Sequence, residues 1–244
     1  MIAVEVKNLV KHYGKVQAVR GISFSIDKGE IFGLIGPNGA GKTTALRIIS
    51  TLLTLTDGSI NVMGFDLEKK PEEVRKIMSY LPEDAGAYKN LTGKGYLEFI
   101  ANFFNPKTVR NMVAKGVQIA DLGERINDKV DTYSKGMKRR LLVGRALMTD
   151  PQLAILDEPT SGLDVNNAQE VRNIIKSTAK KGTTVLLSSH NMLEVEYMCD
   201  RIALIDEGLI VEKGRPVDLM KKYNAKNIEE VFMKVVKQWV HLET

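Results

Sequence analysis

Gly36-Pro37-Asn38-Gly39-Ala40-Gly41-Lys42-Thr43 spells G-x-x-x-x-G-K-[ST], the spacing of a phosphate-cradling loop. Glycines let the backbone curl until successive N–H groups point inward at an anion. In such a loop Lys42 reaches the β and γ phosphates of a nucleotide, and the Thr43 hydroxyl ligates magnesium. The flanks agree with this reading. Ile31 to Ile35 reads as a buried strand. Lys42 to Leu53 reads as a helix whose N-terminus adds positive potential, with Thr44 in its first turn. A Gly-rich turn without function would not need a strand before it and a helix after it.

Upstream, Ile2, Val4 and Val6 alternate, as do Ile22, Phe24 and Ile26 before a turn at Asp27-Lys28-Gly29. Both runs predict strands with one buried face. Downstream, Gly58 to Val62 predicts a short strand, and Pro71 opens a short helix toward Ile77. From Asp84 to about Asp150 the pattern turns helical. Tyr96, Phe99, Ile100 and Phe103 mark one helical face, and Val109, Met112, Val113, Val117 and Ala120 mark another that stops near Gly123. A third helix starts at Ser134 and ends before Asp150-Pro151.

Leu153-Ala154-Ile155-Leu156-Asp157-Glu158 is the second informative stretch. The apolar run predicts a core strand that delivers two carboxylates at its C-terminal end, where open α/β sheets bind ligands. Asp157 would hold magnesium by way of water, and Glu158 would polarise an attacking water. A helix from Val165 follows, with Asp164 as N-cap and Gly182 past its end. Thr184 to Leu187 predicts a strand, and Asp206-Glu207-Gly208 joins two more in a hairpin. Ile228, Val231, Phe232, Val235, Val236 and Trp239 form the stripe of a last amphipathic helix. No internal repeat or low-complexity linker interrupts the chain.

The 244 residues are 43% hydrophobic, enough for a sizeable core, and carry a net charge of +5. Basic groups such as Lys69-Lys70, Lys138-Arg139-Arg140 and Lys180-Lys181 are scattered and read mainly as solvated surface, so no nucleic-acid partner is expected. No apolar run approaches the ~18 residues of a membrane span. Glu5 and Lys7 speak against a signal peptide. Cys199 stands alone, which excludes an intrachain disulfide and fits a reducing cytoplasm.

Taken in order, the P-loop, Tyr133-Ser134-Lys135-Gly136-Met137, Leu156-Asp157-Glu158-Pro159, Ser161-Gly162-Leu163-Asp164 and Ser189-His190 resemble the ATPase subunit of ABC transporters. The resemblance runs from about Val4 to Lys213. It implies an α/β fold: a P-loop ABC ATPase core with an N-terminal antiparallel β subdomain and an inserted helical subdomain. The corresponding divisions are 1–83, 84–150, 151–213 and a C-terminal helical extension over 214–244. By the same resemblance Tyr13 stacks on adenine, a contact worth ~1–3 kcal/mol in analogous base stacking. Ser134 and Gly136 match the signature motif, which binds the γ-phosphate of ATP held by a second copy. Lys135 and Met137 depart from the usual glycine and glutamine of that motif. Glu83, after Tyr80-Leu81-Pro82, stands where the family's lid carries a magnesium-contacting glutamine. His190 is the switch histidine that hydrogen-bonds the γ-phosphate, and Asp164 communicates across the dimer.

The signature segment, Glu83 and the terminal Asn227 to Phe232 look like the branch that exports drugs, lipids or polysaccharides. The implied cofactors are ATP and magnesium. The implied partners are a second copy and separate transmembrane permease subunits, at the cytoplasmic face of the membrane. Two rivals remain at this stage. A soluble ABC ATPase of translation or repair would bring tandem cassettes or a coiled-coil insert, and a non-hydrolysing module would lack Glu158 or Lys42. A small GTPase is excluded by the absence of Asn-Lys-x-Asp.

Overall fold

The computed structural model describes residues 1–104 and 106–240, the last three of these by backbone alone. Among the described residues, β1 (Ile2–Tyr13), β2 (Val16–Asp27), β4 (Asp57–Val62) and β5 (Phe65–Asp66) form an antiparallel sheet in the order β2-β1-β4-β5. Val4, Val6, Leu9, Ile22, Phe24 and Ile26 are buried on its inner face. Ile2 departs from the expected alternation and is exposed, because a register shift falls between Ile2 and Val4.

The second sheet is mainly parallel and runs β10-β9-β3-β8-β7-β6. Its strands are β3 (Ile31–Ile35), β6 (Met78–Leu81), β7 (Leu153–Leu156), β8 (Thr184–Ser189), β9 (Arg201–Asp206) and β10 (Leu209–Gly214). Only the hairpin strand β10 is antiparallel to its neighbour. Every residue of β3, β7 and β8 is buried, as continuous apolar runs covered on both faces require. Phe32 and Leu34 point into one core shared with the antiparallel sheet and α1 (Lys42–Ile49). Ile31 and Ile35 point into the other, shared with helices.

Strand β6 was not expected from the sequence. It follows α2 (Pro71–Ile77) without a loop, spans four residues, and buries only Leu81 fully. It nonetheless carries the lid residue Glu83 to the edge of the site, since the Asp157 N–H donates to the Leu81 carbonyl (2.8 Å). Helix α1 stops at Ile49 rather than Leu53. Thr51 takes a left-handed φ of 61°, and the Leu52 and Leu53 N–H groups turn back to the Arg47 carbonyl.

The remaining helices are α3 (Gly93–Ala101), α4 (Val109–Ala120), α5 (Lys135–Leu147), α6 (Val165–Lys180), α7 (Met192–Met198), α8 (Pro216–Lys222) and α9 (Ile228–Val240). Short 3-10 turns at Gly123–Asn127 and Val130–Thr132 separate α4 from α5. The predicted face of α3 is corrected. Tyr96, Leu97 and Ala101 face the core, whereas Phe99 and Phe103 are 40% and 74% exposed. Helix α9 buries Ile228, Val231 and Val235, while the side chain of Trp239, and His241 altogether, lie outside the described residues. No described helix is long and apolar enough to cross a membrane.

Candidate functional site

Parallel pairing brings the C-terminal ends of β3, β7 and β8 to one edge, and the loops leaving them build the site. The P-loop leaves β3 with the Gly36 N–H donating to the Ser189 carbonyl (3.2 Å). Gly41 has φ 100°, and a Cβ there would sit 2.4 Å from the Ala18 carbonyl oxygen, so no other residue fits this turn. Lys42 is buried. Its ammonium donates to the carbonyls of Gly36 (2.7 Å) and Pro37 (3.0 Å) and lies 3.5 Å from Glu158 Oε1. A cleft of about 160 Å³ is lined by Asn38, Gly39, Lys42, Thr43, Thr44, Glu83 and Glu158, among others. Larger grooves exist, including one of about 410 Å³ beside α4, α5 and α6. That groove contains no P-loop residue.

Asp157, at the end of β7, is buried and fully engaged. Its Oδ1 accepts from Ser188 Oγ (2.5 Å) and Thr43 Oγ1 (3.3 Å), and its Oδ2 accepts from the Tyr80 hydroxyl (3.3 Å). Burial, aided by the Asp157 charge, pushes the Tyr80 phenol up to about 12, so it stays a donor. Glu158 follows in a left-handed conformation, φ 48°. Its N–H donates to Ser188 Oγ (2.9 Å), and its Oε2 lies 2.8 Å from His190 Nδ1. Its Oε1 is buried without a hydrogen-bond partner and faces the Lys42 ammonium. The carboxylate thus sits between a fixed cation and a half-exposed imidazole, a geometry suited to drawing a proton from water beside a phosphate.

The magnesium fit can be judged from the donors. Thr43, Asp157 and Glu83 offer only oxygen, and no group of three or more His, Cys, Asp or Glu among the described residues is arranged to hold a metal alone. That set suits magnesium, which takes one or two carboxylates and completes its shell with substrate phosphates and water. Glu83 is exposed, and its Oε1 accepts from Ser161 Oγ (3.3 Å).

The other predicted residues are placed as follows. Ser134 caps α5, its Oγ accepting from the Met137 N–H (3.2 Å), and Asp164 caps α6 by accepting from Asn167 N–H (3.0 Å). The Asn167 backbone bond is the main reason the Asp164 carboxyl lies below its usual range. Gly136 is buried against Asn167, where a Cβ would fall 2.0 Å from Oδ1. Neither Ser134 nor Gly136 lines the cleft of its own P-loop. The Lys135 ammonium approaches Gly162. Tyr13 is 46% exposed at the end of β1, with the Lys11 ammonium 5.3 Å from its ring centre.

Sequence reading missed three participants: Ser188, Tyr80 and Arg139. The first two supply hydroxyls that appear only once β8 and β6 flank β7. The sequence groups Arg139 with Lys138 and Arg140 as solvated surface, and the structure corrects this. It is buried, and its guanidinium donates to main-chain carbonyls around Asp157 and Glu158. The available signal was helical spacing, which puts Arg139 on the stripe of Gly136, Leu142, Val143 and Ala146, all buried.

The family described as ABC transporter matches residues 19–161, more than half of the chain. The chain belongs to the ABC transporter family. Over 98% of its length this ABC protein is 36% identical to the linearmycin resistance ATP-binding protein LnrL of Bacillus subtilis (strain 168), covering 80% of that protein. It is 33% identical to the Nod factor export ATP-binding protein I of Rhizobium etli, over 95% of this chain and 74% of that one. The solved ATP-binding subunit of an ABC transporter superposes with a TM-score of 0.82 at 28% identity, over 96% and 99% of the two chains. The protein is an ATP-binding subunit of ABC type and an ATP hydrolase.

For this ABC ATPase, Lys42→Ala removes the one cation of the P-loop. Two charge-assisted phosphate contacts are worth about 3 kcal/mol together, so ATP affinity should fall about 100-fold. A fluorescent-nucleotide titration checks this, and unchanged affinity would refute the P-loop assignment.

Proposed function

We propose that this subunit energises export through separate membrane subunits, hydrolysing magnesium–ATP in a head-to-tail dimer. The observation that carries the reading is a contiguous cluster at one cleft: Lys42, Thr43 and Glu158 line it, with His190 bonded to Glu158 and Asp157 to Thr43, while Ser134 and Gly136 do not line it. A chain with every hydrolytic group in one place and its signature motif elsewhere suits a second copy that supplies the motif. In this reading Thr43 and Asp157 hold magnesium, with Glu83 at the lid, and Tyr13 stacks on adenine. Glu158 is the base, His190 hydrogen-bonds the γ-phosphate and orients the attacking water, and Asp164 sits at the contact between copies. The export direction is supported by relatives named for antibiotic resistance and Nod factor export.

A surface feature supports the membrane partner. Tyr88, Phe99 and Phe103 form an edge-to-face ladder with ring centres 5.2 and 5.3 Å apart, and all three are exposed. Exposed aromatic clusters of this kind mark partner surfaces. The lid segment leading to it is anchored by Ala85, Ala87 and Leu91, which pack on the core. A cysteine at position 88 should therefore crosslink to an integral membrane protein in native membranes, without competition from Cys199, which is buried and whose thiol is held protonated by burial. Tyr88→Ala should weaken co-purification with that protein while ATPase activity of the isolated subunit changes less than about twofold. No captured membrane protein, together with a fall in melting temperature on Tyr88→Ala, would show that the ladder only packs the insert.

A further inference from the structure

Arg139 is a buried cation that the phosphate chemistry above does not use. It projects from α5, three residues after Gly136, and is 7% exposed. Its Nε donates to the Pro159 carbonyl (2.7 Å). Its Nη2 donates to the carbonyls of Asp157 (2.9 Å) and Glu158 (2.5 Å). Its Nη1 donates to the carbonyls of Glu83 (3.1 Å) and Pro82 (3.4 Å). Every one of these partners is a main-chain oxygen. Three are consecutive residues leaving β7, and two belong to the lid leaving β6. Only the planar fork of arginine, with its spread of N–H donors, can reach two chain segments in this way.

The peptide it grips is the unusual one. Glu158 holds a left-handed φ of 48°, a conformation that is strained for a non-glycine residue. Such a conformation persists only where the surroundings over-determine it. Here Ser188 Oγ takes the Glu158 N–H and Arg139 takes its carbonyl. The direction of the Glu158 side chain, toward Lys42 and His190, follows from that fixed backbone. Burial lowers the pKa of the guanidinium, and the carboxylates of Glu83, Asp157 and Glu158 oppose this.

We propose that Arg139 is a positioning residue for ATP hydrolysis. It locks the Glu158 main chain in the conformation that aims its carboxylate, and it ties that peptide and the lid at Glu83 to the helix that opens with Ser134 and Gly136. A shift of α5 when those two residues meet a phosphate is then transmitted directly to the base. The inference rests on the reading of Glu158 as that base.

The test uses Arg139→Lys, which keeps the charge and loses the fork. Turnover is divided by the number of ATP-binding sites titrated in the same sample, so loss of folded protein does not register as loss of rate. Small misplacement of a catalytic group is costly, so kcat should fall about tenfold while KM for ATP stays within about twofold. Combined with Glu158→Gln, the same substitution should cause no further loss in single-turnover rate, because its effect passes through the carboxylate already removed. A wild-type kcat in Arg139→Lys, or a further tenfold loss on the Glu158→Gln background, overturns the positioning role. Full turnover in Glu158→Gln alone would instead remove the base assignment, and the positioning role with it. If Glu158→Gln is inactive and Arg139→Lys is normal, only the positioning role falls.

Discussion

Glu158→Gln is expected to lower ATP turnover by about 10²–10⁴-fold, the usual contribution of a positioned general base, while leaving ATP affinity unchanged. Glutamine keeps the shape but loses the negative charge that now sits 3.5 Å from Lys42 Nζ and 2.8 Å from His190 Nδ1. It cannot take a proton from water. The Asp157 cluster of Ser188, Thr43 and Tyr80 is untouched by the change. Unhydrolysed nucleotide should then hold two copies together, so sizing columns run with ATP and magnesium should show a dimer that the wild type shows weakly. Turnover at the wild-type rate would move the base to His190, whose Nδ1 lies 2.8 Å from the Glu158 carboxylate.

Ser134→Arg is expected to abolish hydrolysis while each chain still binds ATP. The side chain is exposed and does not line its own cleft, so a bulky cation there should obstruct only a nucleotide brought by another copy. The substitution also removes the hydroxyl that accepts from the Met137 N–H, a cap worth about 1 kcal/mol. A small fall in melting temperature is thus expected and is not the cause of the defect. Mixing with Lys42→Ala sharpens the result. In the mixed dimer one composite site carries both lesions and the other carries neither, so partial recovery of ATPase activity supports a shared site. Normal activity of Ser134→Arg alone would refute the head-to-tail arrangement.

The parts legible in the sequence were those in which chemistry demands contiguous residue types. The P-loop glycines, Lys42 and Thr43, and the Asp157-Glu158 pair after an apolar run are fixed by local geometry, and the structure brings them within bonding distance. The helix caps at Ser134 and Asp164 were legible for the same reason. What escaped was assembled by pairing across distance. Ser188 and Tyr80 reach Asp157 only because β8 and β6 lie on either side of β7, and β6 is too short and too half-buried to leave a periodic trace. On α3 and the turn after it, residues Tyr96, Leu97, Ile100 and Ala101 compete with Phe99 and Phe103 for the role of core stripe, and periodicity alone does not say which stripe turns inward. Arg139 was hidden by its charge, although its place among small and apolar neighbours argued for burial.

The contact between Gly136 and Asn167 has a consequence for anyone recombining such chains. Asp164 grips Asn167 twice, through the backbone N–H at 3.0 Å and the side-chain amide at 2.5 Å. The amide is therefore not free to swing aside, and a methyl group at position 136 would meet its Oδ1 at 2.0 Å. The opening of α5 and the opening of α6 behave as lock and key within one polypeptide. A segment exchange that imports a foreign α5 must keep glycine at that contact or carry residues 164 to 167 along with it. The two motifs are in this sense a single heritable unit, separated by some thirty positions of chain but not by any space.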